Sequence, residues 1–314
     1  MLVLASVFVS LASAGSGPWV VGEGQASLYV GGEAQRLSQL AITVEGERDV
    51  IDVAEGISTV GLKGIATVGL TPRIELQGIL PWWRVQATRP DHPLCEALGL
   101  GACRTTSSLG VVELRGKGLV LDEFFGAPVS LALGAEMRLG DFTYGTRERV
   151  TNVGEGALDA GAFLAVGRTG AVGARGYWSA YLEVLGRYRA PTTRDFPEAN
   201  AGRSVPGSEF GATAEWVVGP RSRVAFGPVA SVLWRPWGKD FGELDLTDRD
   251  RFGALRILTT RVGGTLAIRG PESLVATLSV LRTVVAINNP SDVLTVSGGV
   301  QTLIGRGRRG ESGG

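Results

Sequence analysis

Histidine is almost missing from this chain, with one residue, His92, and 314 residues hold only two cysteines and two methionines. That scarcity leaves little material for imidazole, metal or redox chemistry. No P-loop, dinucleotide fingerprint or zinc spacing occurs, and no cofactor is expected. Basic and acidic residues balance at 31 each, so no bulk field draws the chain to nucleic acid. Long apolar runs are missing too. Residues 2–11 form a short one, well under the roughly 20 residues that a membrane-crossing helix needs.

That run is followed by Ala12-Ser13-Ala14 and Gly15, the small-residue pattern of a secretory signal with cleavage expected after Ala14. No Lys or Arg precedes it, and a start codon assigned too far downstream would account for that. The division expected is a signal at 1–14, a barrel at 15–305 and a basic, Gly-rich tail at 306–314. A chain that is exported, and bound to a membrane without helices, has only the closed barrel open to it.

What the chain has in quantity is glycine, 47 residues, placed inside strand-like runs where it signals curvature or close backbone approach. We read twelve strands, at 19–30, 57–70, 73–86, 109–121, 128–140, 156–167, 176–189, 209–218, 222–235, 253–268, 273–287 and 293–304. Tight joints at 71–73, 122–128, 168–176, 219–221 and 270–271 alternate with long polar ones at 31–56, 87–108, 141–155, 190–208 and 237–251. Outer-membrane barrels are built this way, with short periplasmic turns and longer outer loops. The fold class expected is all-β: a transmembrane, antiparallel, up-and-down barrel of about twelve strands.

Period-2 alternation supports the strands. Glu113, Arg115 and Lys117 share one face of the fourth, with Val112, Leu114 and Val120 on the other. In the fifth, Val129, Leu131, Leu133, Ala135, Met137 and Leu139 oppose Ser130, Glu136 and Arg138. A soluble sandwich would bury the apolar face. The even strand count, the strand lengths and aromatics near strand ends (Trp82, Trp83, Trp178, Tyr188, Trp216, Trp234, Trp237) favour lipid outside and charge inside. On that reading Leu114→Arg costs folding about 2–4 kcal/mol near the midplane, and Arg115→Gln is tolerated. Arg256 and Arg261 fall on opposite faces of the tenth strand, which requires a bulge or a rim position for Arg256. Arg282 lands on the apolar face and belongs near a rim.

The charged face supplies the candidate lumen-lining set: Lys63, Glu75, Glu113, Arg115, Lys117, Glu136, Arg138, Glu183, Arg187, Glu215 and Arg261. Such a row could line a solute path, or its acids and bases could pair and plug a narrow interior. About twelve strands lies between the eight or so that side chains fill and the sixteen or so that leave a channel. Cys95 and Cys103, in one outer loop, read as a local disulfide of an exported protein. His92, beside Asp91, reads as a solvated loop residue; a Ser-His-Asp hydrolase would need it at a strand end beside a serine. The acidic stretch 240–250 lacks the spacing of a calcium loop. No metal site and no catalytic residue is expected.

Between about residues 55 and 190 the chain resembles a family of Gram-negative outer-membrane proteins, described as transporters or as outer-membrane proteins of the phenol-degradation meta-pathway type. The resembling residues are Val68-Gly69-Leu70-Thr71-Pro72-Arg73-Ile74-Glu75-Leu76 with Leu80-Pro81-Trp82, then Leu109 to Lys117. A third stretch runs from Pro128 to Asp141, with Phe142, Tyr144, Gly145 and Gly154-Glu155-Gly156. The resemblance implies an outer-membrane barrel with a transport role. Its partners would be outer-membrane lipid and lipopolysaccharide, the barrel-assembly machinery and a small-molecule solute. Here the Pro-Thr-Gly-Asp that often closes the fifth strand is only Gly140-Asp141, and Ile304 stands where many barrels end on Phe. Two functions remain: a passive channel or small-solute transporter with a polar, charged lumen, or a closed structural or surface-binding barrel. An enzyme is a distant third.

Overall fold

A computed structural model describes residues 16–87, 105–139, 158–190, 208–220, 223–238, 240, 256–271 and 273–305. Its strands are β1 (Ala26–Val44), β2 (Glu47–Thr71), β3 (Ile74–Ala87), β4 (Thr106–Leu109), β5 (Val112–Leu121), β6 (Ser130–Leu139) and β7 (Asp159–Val172). After them come β8 (Gly176–Arg189), β9 (Glu209–Pro220), β10 (Val224–Arg235), β11 (Ile257–Arg269), β12 (Val275–Ile287), β13 (Asn289–Pro290) and β14 (Val293–Ile304). The short β4 pairs with β3 beyond the end of β5, and β13 is a two-residue link, which leaves twelve wall strands among the described residues. All neighbours are antiparallel. Ala26 of β1 pairs with Ile304 of β14 on one side and Val68 of β2 on the other, so the sheet closes on itself. Closure removes every edge, which a bilayer demands.

The period-2 pattern resolves into an apolar outside and a polar inside. Leu114, Leu133, Leu164, Leu182, Val280 and Val300 are all exposed on the outer face. The buried set includes Glu75, Lys117, Glu136, Asp159, Arg189 and Glu215. A soluble sandwich would have these two sets exchanged. An apolar surface of this extent, wrapped round a polar interior, belongs in lipid, and the barrel is an outer-membrane one.

Aromatics form two bands. Trp178, Trp216 and Phe226 sit near the short-turn end; Tyr188, Phe210, Trp234 and Trp237 sit at the other. Phe210 lies 5.7 Å, ring to ring, from both Trp234 and Trp237. The ten residues from Trp178 to Tyr188, at ~3.3 Å each and a tilt of ~40°, place the bands roughly 25 Å apart, the height of a membrane apolar belt. Trp83 does not join them. It points inward, over Gly61 and Gly110, where an added Cβ would stand 2.3 and 2.7 Å from its ring.

The structure corrects the sequence reading at the start of the chain. Residues 19–25 are not strand: the wall begins at Ala26. Residues 31–56 are not a loop either. They extend β1 and β2 into one long hairpin, closed at Glu45-Gly46 with φ of 51° and 83°. Positive φ at both central residues is the turn that matches strand twist. Glu at its first position hides the signal that Asn or Asp would give. The joint after β7 tightens to residues 173–175. Arg256 takes the rim position, paired with Asp240 at 2.9 Å, and Arg282 meets Asp292 at 3.2 Å beside the β12–β14 connection.

Candidate functional site

The site is the lumen, and its short-turn end is occupied by the chain's own N-terminal segment. Residues 17–22 run inside the barrel, since Pro18 and its neighbouring glycines offer no ladder partner and the wall is complete without them. Trp19 stacks edge-on against Tyr181 with ring centroids 6.2 Å apart, and its indole N–H donates to Glu123 at 3.2 Å. Phe124 packs against the same pair. The Val21 N–H donates to Glu75 at 2.7 Å, and Lys117 donates to the Gly17 carbonyl at 3.0 Å. Glycines make room: a Cβ at Gly167 would stand 2.9 Å from Pro18, and one at Gly69 only 2.2 Å from the Gly22 carbonyl.

Above this segment one wall carries charge in ordered rows. Residues directly opposite on neighbouring strands make the upper row Glu113, Arg138, Asp159 and Arg189, of alternating sign. The next row runs Arg115, Glu136, Gly161, Arg187 and Glu209. Cross-strand opposite charges attract at this spacing. Arg138 meets Asp159 at 3.4 Å, Arg187 meets both Glu136 and Glu209, and Glu209 also meets Arg235 at 2.9 Å. Arg115 is the hub. It contacts Glu183 at 2.6 Å, Glu136 at 3.5 Å and Glu113 at 3.7 Å, and lies 4.1 Å above the Phe163 ring. Its flat guanidinium suits several acids and an aromatic face at once. Lys117 and Glu75 pair at 2.9 Å below.

The opposite wall, β11, β12, β14, β1 and β2, is built from hydroxyls and amides. Gln301 donates to Ser27 at 2.6 Å, Gln77 of the adjoining β3 donates to Thr67 at 3.1 Å, and Thr265 and Ser279 lie 3.0 Å apart. Charges here are sparse: Glu33, which Gln35 holds, with Lys63, Arg261 and, at the short-turn end of β11, Arg269. Lys63 is open to lumen water. Along the inner face of β8–β11, where the two walls meet, lies a cavity of ≈ 300 Å³, bordered by Glu183, Leu185, Arg187, Glu209, Leu233 and Arg261 among others.

All the lumen candidates named from the sequence lie on the inner face. The geometry splits them: Glu75, Glu113, Arg115, Lys117, Glu136, Arg138, Glu183 and Arg187 join ion pairs. Lys63, Glu215 and Arg261 form none among the described residues. Sequence reasoning missed Asp159, Arg189, Glu209 and Arg235: Arg189 continues the parity of Glu183 and Arg187 on β8, and Glu209 that of Glu215 on β9, while β7 and β10 carried no chosen residue. It also missed Trp19 and Glu123, for which no periodic signal exists, and Tyr181, which shares the β8 parity of Glu183 and Arg187. Cys95, Cys103, His92 and Asp91 fall outside the described residues, as does nearly all of 240–250. No group of His, Cys, Asp and Glu placed to hold a metal occurs among the described residues.

No family model matches this sequence, and no curated protein matches it. Solved structures do. A crystal structure of an outer membrane channel from Pseudomonas putida F1 superposes with a TM-score of 0.68 at 17% identity, over 93% of this chain and 99% of that one. The β domain of the Bordetella autotransporter BrkA follows at 0.44 and 12% identity, over 90% of this chain and all of that one. The likeness to the channel is one of fold: a closed outer-membrane barrel.

Proposed function

We propose that the protein is a passive outer-membrane channel, or small-solute transporter, with a polar lumen narrowed at its periplasmic end by residues 17–22. One observation carries this: two rows of alternating charge on one wall face a wall of hydroxyls and amides with few charges, and a cavity opens where the two meet along β8–β11. A barrel meant only to be filled has no use for that separation, because plugging needs acids and bases distributed all round. Paired rows present strong local fields with little net charge, which suits passage of small polar solutes without marked ion preference. The fold shared with a channel of Pseudomonas putida is consistent with this reading, and so is the resemblance to the phenol-degradation type. Single-channel recording of the refolded protein in a planar bilayer tests it. Stepwise conductance is expected; its persistent absence would refute the channel.

The second reading, a closed structural or surface-binding barrel, draws its support from the buried, multiply bonded N-terminal segment. On either reading residues 1–14 are removed on export, and lipopolysaccharide and the barrel-assembly machinery are partners. Cys95 and Cys103 are linked, closing a short loop worth roughly 2–3 kcal/mol. Mass spectrometry of non-reduced peptides tests both processing and linkage: an intact residue 14–15 bond, or two free thiols, would contradict them.

A further inference from the structure

We propose that the lumen cavity is a binding site for a small monocarboxylate with a short hydrocarbon tail, its carboxylate held by Arg261. The inference rests on the polar-lumen reading but concerns binding, which can be measured without transport.

The cavity wall is tiered. At the bottom, four inward residues stand side by side in register on adjacent strands: Arg261, Ser231, Thr213 and Glu183. One step up, Leu185, Gly211, Leu233 and Thr259 pair in the same way. Above them lie Arg187 and Glu209, already committed to each other. A polar tier, an apolar tier and a closed ion-pair tier therefore line one pocket. Gly211 leaves a notch between the two leucines, and a Cβ there would meet Leu185 at 3.7 Å, ordinary contact distance.

The polar tier is unbalanced. Arg187 is neutralised by Glu136 and Glu209, and Glu183 by Arg115. Arg261 has no ion pair among the described residues, and its buried Nε has no hydrogen-bond partner there. Glu33 is the one acid whose field reaches it, and the same carboxylate also serves Lys63. A guanidinium with an open fork, flanked in register by the Ser231 and Thr283 hydroxyls with Thr213 one strand further on, is a carboxylate receptor. The leucine tier beside it takes a few methylenes and nothing charged. Glu183, at the far end of the row, is already paired with Arg115, so that end offers no free cation to a second carboxylate and the ligand is limited to one.

Equilibrium dialysis of labelled hexanoate against the refolded full chain in a non-ionic detergent tests this. Saturable binding is expected, weakened roughly tenfold or more by Arg261→Gln. Gly211→Val, which fills the notch and leaves the charge, should weaken it comparably. Arg84→Gln, on the outer face, should not change it. Hexanol and hexylamine should compete poorly. Binding that survives Arg261→Gln overturns the assignment, as does preference for hexylamine. Inorganic phosphate displacing hexanoate at equal concentration would replace the tailed acid with a general anion and overturn it too. A conducting protein without Arg261-dependent binding sinks this inference alone; Arg261-dependent binding without conductance sinks the channel alone.

Discussion

Arg187 on β8 touches Glu136 on β6 at 2.5 Å, although β7 stands between them. The contact passes over Gly161, which pairs in register with both residues and has no side chain to block it. A glycine placed between opposite charges lets an ion pair skip a strand.

Gly161→Ala should therefore be costly. Its Cβ would stand 2.9 Å from the Gly186 carbonyl and 3.1 Å from Glu136 Cγ. Destabilisation of about 1–3 kcal/mol is expected from the forced shift. Gly64→Ala, whose Cβ would meet nothing closer than 3.9 Å, should stay within about 0.5 kcal/mol. Urea unfolding in lipid vesicles reads both, and equal effects would refute the account.

Register also revises the mutational contrast on β5. Leu114 faces lipid and Leu114→Arg keeps its expected cost of about 2–4 kcal/mol near the midplane. Arg115→Gln, expected from the sequence to be benign, removes the hub of three acids. Stranding buried carboxylates costs about 3–5 kcal/mol, so both variants should fold poorly. The mild substitution is Lys63→Gln, which breaks no ion pair and should alter ion preference instead. Folding yields in vesicles and reversal potentials check the order; a Lys63→Gln barrel as damaged as Arg115→Gln contradicts it.

Removal of residues 16–22 should widen the periplasmic end. The segment holds Trp19 against Tyr181 and caps Glu75 and Lys117. The remaining Glu75–Lys117 pair satisfies itself, so the barrel should still fold. Planar-bilayer conductance should rise severalfold over the full chain. Unchanged conductance would mean that the segment does not lie in the ion path.

The hairpin tip and the short turns lie at opposite ends of the barrel. In a variant with Cys95 and Cys103 changed to Ser, Arg48→Cys should react with a membrane-impermeant maleimide on intact cells. Arg73→Cys, at the β2–β3 turn, should react only after the outer membrane is opened. The reverse pattern would invert the topology.

The alternation on β5, β6 and β8 was legible in the sequence because a pleat has a period of two, and neighbours along the chain alone decide which residues share a face. Glu113, Arg115 and Lys117 could be assigned to one side without any knowledge of β6. The pairing of strands obeys no such local rule. Arg187 and Arg261 look alike in the sequence, each an inward arginine in a mid-barrel strand. Among the described residues one is bound by two acids and the other by none, because register sets what stands opposite, and register belongs to the closed sheet. The N-terminal segment follows the same logic. Trp19 and Val21 read equally well as strand, and only a wall already closed by β1 and β14 leaves them nowhere to pair except against the lumen. Composition and period chose the barrel and its inside; tertiary structure decided which charges were left over, and those residues carry the proposed site.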